Sequence, residues 1–137
     1  MSARRDWQVG QTVVKAEAPA LTRHTLALYA GASGDDNPIH VDIDFARAAG
    51  FPDVFGHGMY TMAQLGRALT AAVPADRLRA FSVRFVAIAQ VGARLASEGV
   101  VTELFEAAGE RRARLALVVR DQHGEAKVTG EAVIALD

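Results

Sequence analysis

The run GMYTMAQLGRALTAA, Gly58–Ala72, decides how this chain is read. Met59, Met62, Ala63, Gly66 and Leu69 recur at the i, i+3, i+4, i+7 spacing of an α-helix. The other side is nearly as mild, with Leu65, Ala68 and Ala71 interleaved with Gln64 and Arg67. A helix with so little charge is expected to be buried on most of its sides. Gly66 costs helix stability relative to alanine, so its presence predicts close packing of the helix backbone on a neighbour. Pro74 follows the end of the pattern.

Downstream the texture changes. Arg79–Gln90, Ala93–Glu106, Arg111–Asp121 and Ala126–Leu136 are extended runs rich in Val, Leu, Phe and Ile, with partial alternation at Phe81, Val83 and Phe85 and at Leu115, Leu117 and Val119. Links carrying Gly92, Ala108-Gly109-Glu110 and Gln122-His123-Gly124 read as antiparallel hairpins. Upstream, Thr12–Ala18 reads as a short strand ended by Pro19. Thr22 is placed to cap a helix that runs to Tyr29 or Ala30 and buries Leu26, Tyr29 and Ala30 on one face. Gly31 and Gly34 then open a loop. Asp42 or Asp44 caps a short helix, Phe45 to Ala49, stopped by Gly50. One buried helix followed by a meander implies a curved antiparallel sheet of ~5–6 strands wrapped around that helix, an α+β domain spanning residues 1–137.

Composition narrows the function classes. Fifteen basic side chains, thirteen of them Arg, nearly balance sixteen acidic ones, which argues against a nucleic-acid surface. The absence of cysteine excludes disulfides, thiolate catalysis and zinc–thiolate sites. The opening MSARRDWQVG has no apolar run behind its arginines, and no stretch is long enough to span a bilayer, so a cytoplasmic protein is expected.

The chemistry-bearing stretch lies immediately before the helix: SGDDNPIHVDIDFARAAGFPDVFGHGM, Ser33–Met59. A polar turn puts the carboxylate of Asp35, the amide of Asn37 and the imidazole of His40 within six residues, with Pro38 in the turn to bring side chains to one side. Gly56-His57-Gly58-Met59 then starts the helix. A carboxylate and an imidazole can share proton transfers, and Asn37 can orient a water or the carboxylate. The Gly58 N–H is an unpaired donor on the positive end of the helix dipole, open to close approach by a ligand atom. Rival motifs fail. Gly31-Ala32-Ser33-Gly34-Asp35 has Asp where a nucleophile elbow needs Gly, no phosphate loop exists, and a calcium loop would need a sixth-position Gly and a closing Glu. A metal on Asp35, His40 and His57 lacks a close-spaced ligand pair. Taken singly, an Asp-Asn-Pro turn or a lone histidine is ordinary structure; their joint spacing points to a site. His24 and His123 read as surface residues.

The pattern Tyr29-x-x-x-Ser33-Gly34-Asp35-x-Asn37-Pro38-Ile39-His40-x-Asp42, with Ala46, Gly50-Phe51 and His57-Gly58-Met59, resembles the MaoC-like hydratase/dehydratase family, which contains the (R)-specific enoyl-CoA hydratases. Arg84-Phe85 stands where the family commonly has an Arg-Phe pair. The resemblance implies a single hot-dog domain. It implies reversible hydration of trans-2-enoyl thioesters of coenzyme A or acyl carrier protein, or dehydration of the (R)-3-hydroxyacyl forms, without metal or redox cofactor. Carried over residue by residue, it assigns acid/base catalysis to Asp35 and His40 with Asn37, and the oxyanion donor to Gly58. The candidate substrate-binding residues are His57, Met59, Tyr29 and Arg84. His57 either shapes the loop or contacts substrate, Tyr29 also reads as packing, and Met59 and Met62 read as core. Asp42 is followed by Ile43 where many relatives have Pro, and Val86–Ala93 lacks the family's Pro and Gly-Asp; these departures bear on the acyl chain or carrier. A homodimer, or a heterodimer with a second hot-dog subunit, is expected. An acyl-CoA thioesterase on the same fold and one subunit of a heteromeric dehydratase are the alternatives.

Overall fold

A computed structural model describes residues 4–137. In chain order the elements are β1 (Thr12–Glu17), α1 (Arg23–Ser33), α2 (Ile43–Ala48), α3 (Gly58–Ala72), β2 (Leu78–Phe85), β3 (Ala96–Ala107), β4 (Glu110–Arg120) and β5 (Ala126–Ala135), with short 3₁₀ turns at Pro38–His40 and Ala75–Arg77. The five strands form one sheet in the order β1-β3-β4-β5-β2, every neighbouring pair antiparallel. The sheet packs on α3, which gives the wrapped α+β architecture expected of a hot-dog domain.

The buried stripe of α3 is Thr61, Leu65, Ala68 and Leu69. They meet side chains that project inward from the strands, among them Val101, Leu115, Leu117, Val119, Val128 and Ile134. This corrects the stripe read from the sequence. Met59 is 55% exposed and is not core. Gly66 is also not a tight approach, because a Cβ there would meet only Phe81 at an ordinary 3.6 Å. Small and apolar residues occupy both faces of this helix, so periodicity alone defines no unique inward face.

Two hairpins form as expected. Between β3 and β4 the two-residue loop Ala108-Gly109 has positive φ at both positions, 52° and 72°, the geometry that matches the strand twist. Between β4 and β5 the Asp121 carboxylate accepts from the His123 and Glu125 backbone N–H groups. The Gly92 link is no hairpin. β2 ends at Phe85 and pairs with β5 at the sheet edge, so residues 86–95 cross the molecule to reach β3. The crossing segment is held by Val86 and Ala87 N–H donors on the Lys127 carbonyl, by a bridge from Gln90 to Phe55, and by Leu21 and Ala93. The apolar character of Val86–Ala89 mimics a strand, but it serves this wall. At Gly130 of β5 an added Cβ would lie 2.2 Å from the Ser82 carbonyl oxygen, so the β2–β5 pairing requires glycine there.

α1 starts where Thr22 Oγ1 accepts from Thr25 N–H at 3.1 Å. It continues past Ala30 to Ser33 and ends on Gly34 in the left-handed conformation at φ 78°. Gly31 does not break it. It sits on the exposed side, and the roughly 1 kcal/mol propensity cost of glycine is carried by the packing of Leu26 and Ala30. α2 begins at Ile43 with Asp42, not Asp44, as its cap.

Candidate active site

The Ser33–His40 segment is built by a relay of side-chain-to-backbone bonds. Ser33 Oγ accepts from Asp35 N–H at 3.1 Å, an Asp35 carboxylate oxygen from Asn37 N–H at 3.3 Å, and Asn37 Oδ1 from Ile39 N–H at 3.1 Å. Each bond spans two residues, as short polar side chains favour in turns. Pro38 then starts the 3₁₀ turn that presents His40. Asn37 is therefore first a cap: its carbonyl oxygen is engaged, and its amide N–H₂ is the part left to meet a water or ligand.

His40 Nδ1 lies 2.7 Å from the Phe55 carbonyl oxygen. A carbonyl can only accept, so Nδ1 carries the hydrogen and Nε2 is an open acceptor. Phe55 also packs edge-on to the His40 ring, at 5.2 Å between centroids. Below His40 lies His57, which is 1% exposed. The two rings stack at 3.9 Å with 25° between planes. The same bond rule makes His57 Nε2–H a donor to the Asp35 carbonyl at 3.0 Å. Tyr29 of α1 packs its ring on His57 at 4.7 Å and on Tyr60 at 5.4 Å. Burial, then the Asp35 charge, raises the Tyr29 phenol above its ordinary value. Burial lowers the proton affinity of His57 below that of a free imidazole, and its bond to Asp35 opposes this only in part.

A carboxylate oxygen of Asp35 and ring nitrogens of His40 and His57 lie within 4.8 Å of one another. One nitrogen of each ring is engaged by a backbone carbonyl, which leaves His40 Nε2 and His57 Nδ1 as the open nitrogens of this cluster.

His40 and Gly58 face a groove of about 380 Å³ whose walls are largely apolar: Phe55, Phe85, Val86, Ile88 and Val128. Gly58 is the first residue of α3, so its N–H has no intrahelical acceptor, and among the described residues nothing else accepts it. The ring of Phe85 lies 3.0–3.1 Å from where a Gly58 Cβ would stand, so this glycine gives both an open donor and room for Phe85.

The structure groups Asp35 with His40, sets His40 and Gly58 on one groove, and leaves other candidates outside its walls. His57 lies beneath the site and is not a groove wall. Met59 points to solvent, away from the groove. Arg84 is exposed between Val83 and Phe85, whose side chains face the helix side, so strand alternation sends it to the outer face of the sheet. Tyr29 packs on His57 and feels the Asp35 charge, but it is not a wall of the groove. The Phe55 carbonyl and the crossing segment Val86–Ala89 were not legible as site residues, because a backbone acceptor and a crossover wall leave no residue-type signal.

The chain is similar to curated proteins of which it spans less than a quarter. It is 47% identical over 73 residues to the fatty acid synthase subunit beta of Aspergillus oryzae, covering 50% of this chain and 4% of that one. It is 42% identical over 65 residues to the 3-hydroxyacyl-thioester dehydratase X of Mycobacterium tuberculosis, covering 47% of this chain and 22% of that one. Among solved structures, the (R)-hydratase from A. caviae involved in PHA biosynthesis superimposes with a TM-score of 0.83 at 29% identity, over 97% of this chain and 99% of that one. The model of the MaoC like domain matches residues 6–122, and with the relay, the paired imidazoles and the helix-start glycine in place, the chain belongs to that family.

Proposed function

We propose that this chain reversibly adds water across the double bond of trans-2-enoyl thioesters, giving (R)-3-hydroxyacyl thioesters. The observation that carries this is His40: it shares a groove with the unpaired Gly58 N–H, its Nε2 is free, and the Asp35 carboxylate lies within 4.8 Å of one of its ring nitrogens. A water held between Asp35 and His40 gives a proton to the pair, and its oxygen bonds to C3. The electron pair of the double bond moves onto the thioester as an enolate, whose oxygen the Gly58 N–H stabilises at the positive end of α3. The pair then returns a proton to C2. Atoms and charge balance, and the addition is redox-neutral, so it asks for no redox cofactor. The apolar walls suit an aliphatic acyl chain. The (R) hand rests on the likeness to the A. caviae hydratase.

The active form is a dimer in this reading. β2 is an edge strand with unpaired backbone groups, and Met59, Phe85 and Val86 beside it are each more than half exposed. A second copy, or a second hot-dog chain, would cover them, and light scattering of the active sample would give the mass. Purified protein assayed against enoyl-CoA thioesters of increasing length tests the reaction itself. Hydration without thiol release is expected. Release of free thiol would mean a thioesterase, and loss of the enoyl absorbance only on adding a second subunit would mean a heteromeric dehydratase.

A further inference from the structure

We propose that His57 is the positioning residue of the acid/base pair: a neutral imidazole at the start of α3 that tethers Asp35 through its backbone and braces the ring of His40. The proposal rests on the reading of Asp35 and His40 as the reacting pair.

His57 is 1% exposed and lines no part of the groove, so it does not meet substrate. It nevertheless touches both reacting residues. Its Nε2–H donates to the Asp35 carbonyl at 3.0 Å, and its ring lies against His40 at 3.9 Å. Nothing in the packing alone calls for histidine. The ring offers no cap to α3, although it stands at the N-cap position. Its Nδ1 is buried and has no hydrogen-bond partner among the described residues. Buried polar atoms without partners are uncommon and unfavourable, and a phenylalanine would fill much of the same space without one. What phenylalanine lacks is the N–H to Asp35, and what an amide side chain lacks is the ring face against His40. Histidine combines the two.

The same contacts keep charge off His57. The groups facing it are the Asp35 carboxylate and carbonyl, the His40 ring and the phenol of Tyr29, with Tyr60 beyond Tyr29. A second proton on Nδ1 would find no acceptor, and burial opposes it. Two imidazolium rings stacked at this distance would also repel. His57 therefore serves as a fixed, uncharged support, and the proton transfers with Asp35 are left to His40, whose Nε2 is open. The tether also links the site to the helix that bears the Gly58 donor, so Asp35, His40 and Gly58 share one frame. Misplacing a reacting group by about 1 Å is enough to cost ~10²-fold in rate.

The test uses the full chain and two variants. His57→Phe keeps the stack and removes the N–H. His57→Gln keeps a donor and removes the ring. Each is expected to lower kcat ~10–10²-fold on an enoyl-CoA, with KM changed less than ~3-fold, and to fold. In a His40→Ala background His57→Phe is expected to cost less than ~3-fold, because the residue acts through the pair that is already broken. A purely structural defect would cost its full factor in both backgrounds, and that result would overturn the proposal. So would wild-type kcat in both folded variants, or a rise in KM that accounts for the whole loss. A second readout needs no turnover: ¹⁵N NMR of the imidazoles is expected to show His57 as the neutral Nε2–H tautomer at about pH 6.5, where a free imidazole is half protonated. A His57 ring that is charged at that pH, or shows the Nδ1–H tautomer, overturns the proposal even if the hydratase assay itself were negative.

Discussion

Gly58 offers the sharpest probe of the oxyanion role, because the structure decides what each substitution does there. It is the first residue of α3, where proline is tolerated for want of an N–H partner. The preceding His57 has φ −58° and ψ 136°, inside the extended region that a following proline demands. Gly58 itself has no positive φ, so neither alanine nor proline meets backbone strain. Both add a Cβ that presses on the Phe85 ring at 3.0–3.1 Å. That ring is 54% exposed and can turn aside, at a cost of roughly 0.5–1.5 kcal/mol if it leaves its rotamer. Alanine is thus the matched control for bulk, and what proline changes beyond it is the amide: the N–H is gone and ring carbon stands in its place. Deleting one oxyanion donor is worth ~10²–10³ in kcat, about 2.7–4 kcal/mol. Gly58→Pro should therefore lose ~10²–10³ in kcat, while Gly58→Ala loses less than ~10-fold, both with native circular dichroism. Steady-state rates on one enoyl-CoA, with KM read separately, decide it. Equal losses of kcat in two equally folded variants would mean that crowding by Phe85 is the whole effect, and the donor role of Gly58 would have to be given up.

Three further outcomes are expected. Asp35→Asn and His40→Ala should each lower kcat ~10²–10⁴-fold with the fold intact, and the double variant should be little worse than the worse single, as kinetics of the three proteins would show. Gly130→Ala should prevent the native β2–β5 pairing, since its methyl would stand 2.2 Å from the Ser82 carbonyl; loss of soluble protein or a sharply lowered melting temperature is expected, and a near-native melting curve would contradict the packing. Glu110 is held by Arg79 and Arg112, which lower its carboxyl from 4.5 to about 2. A lowered folded-state value means that this stabilisation is present above pH 4.5 and is lost as pH falls toward 2, so Glu110→Gln should show a smaller drop in melting temperature across that window than the parent chain.

The parts of this molecule that could be read from sequence are those where one residue type has one physical use. A glycine-flanked helix start, a Thr at the head of a helix, and Asp-Asn-Pro leading to a histidine each have a local cause that survives without the rest of the fold; the structure accordingly places Thr22 as a cap, Asp35 beside His40, and His40 with Gly58 at one groove. The misreadings arise where a residue type has two uses. Val86–Ala89 has a strand's composition, yet it leaves the sheet because β2 has already found its partner in β5. Met59 is exposed where core was expected, since at the mouth of the groove the helix turns the Thr61 hydroxyl inward and leaves the thioether in solvent. His57 is a case the sequence leaves open: its place between Gly56 and Gly58 allows either shaping of the loop or contact with substrate, and only the stack on His40, the bond to Asp35 and the unpartnered Nδ1 set it in the layer beneath. A side chain that acts through two others has no pattern of its own along the chain; its role becomes visible only when the distances to both are known.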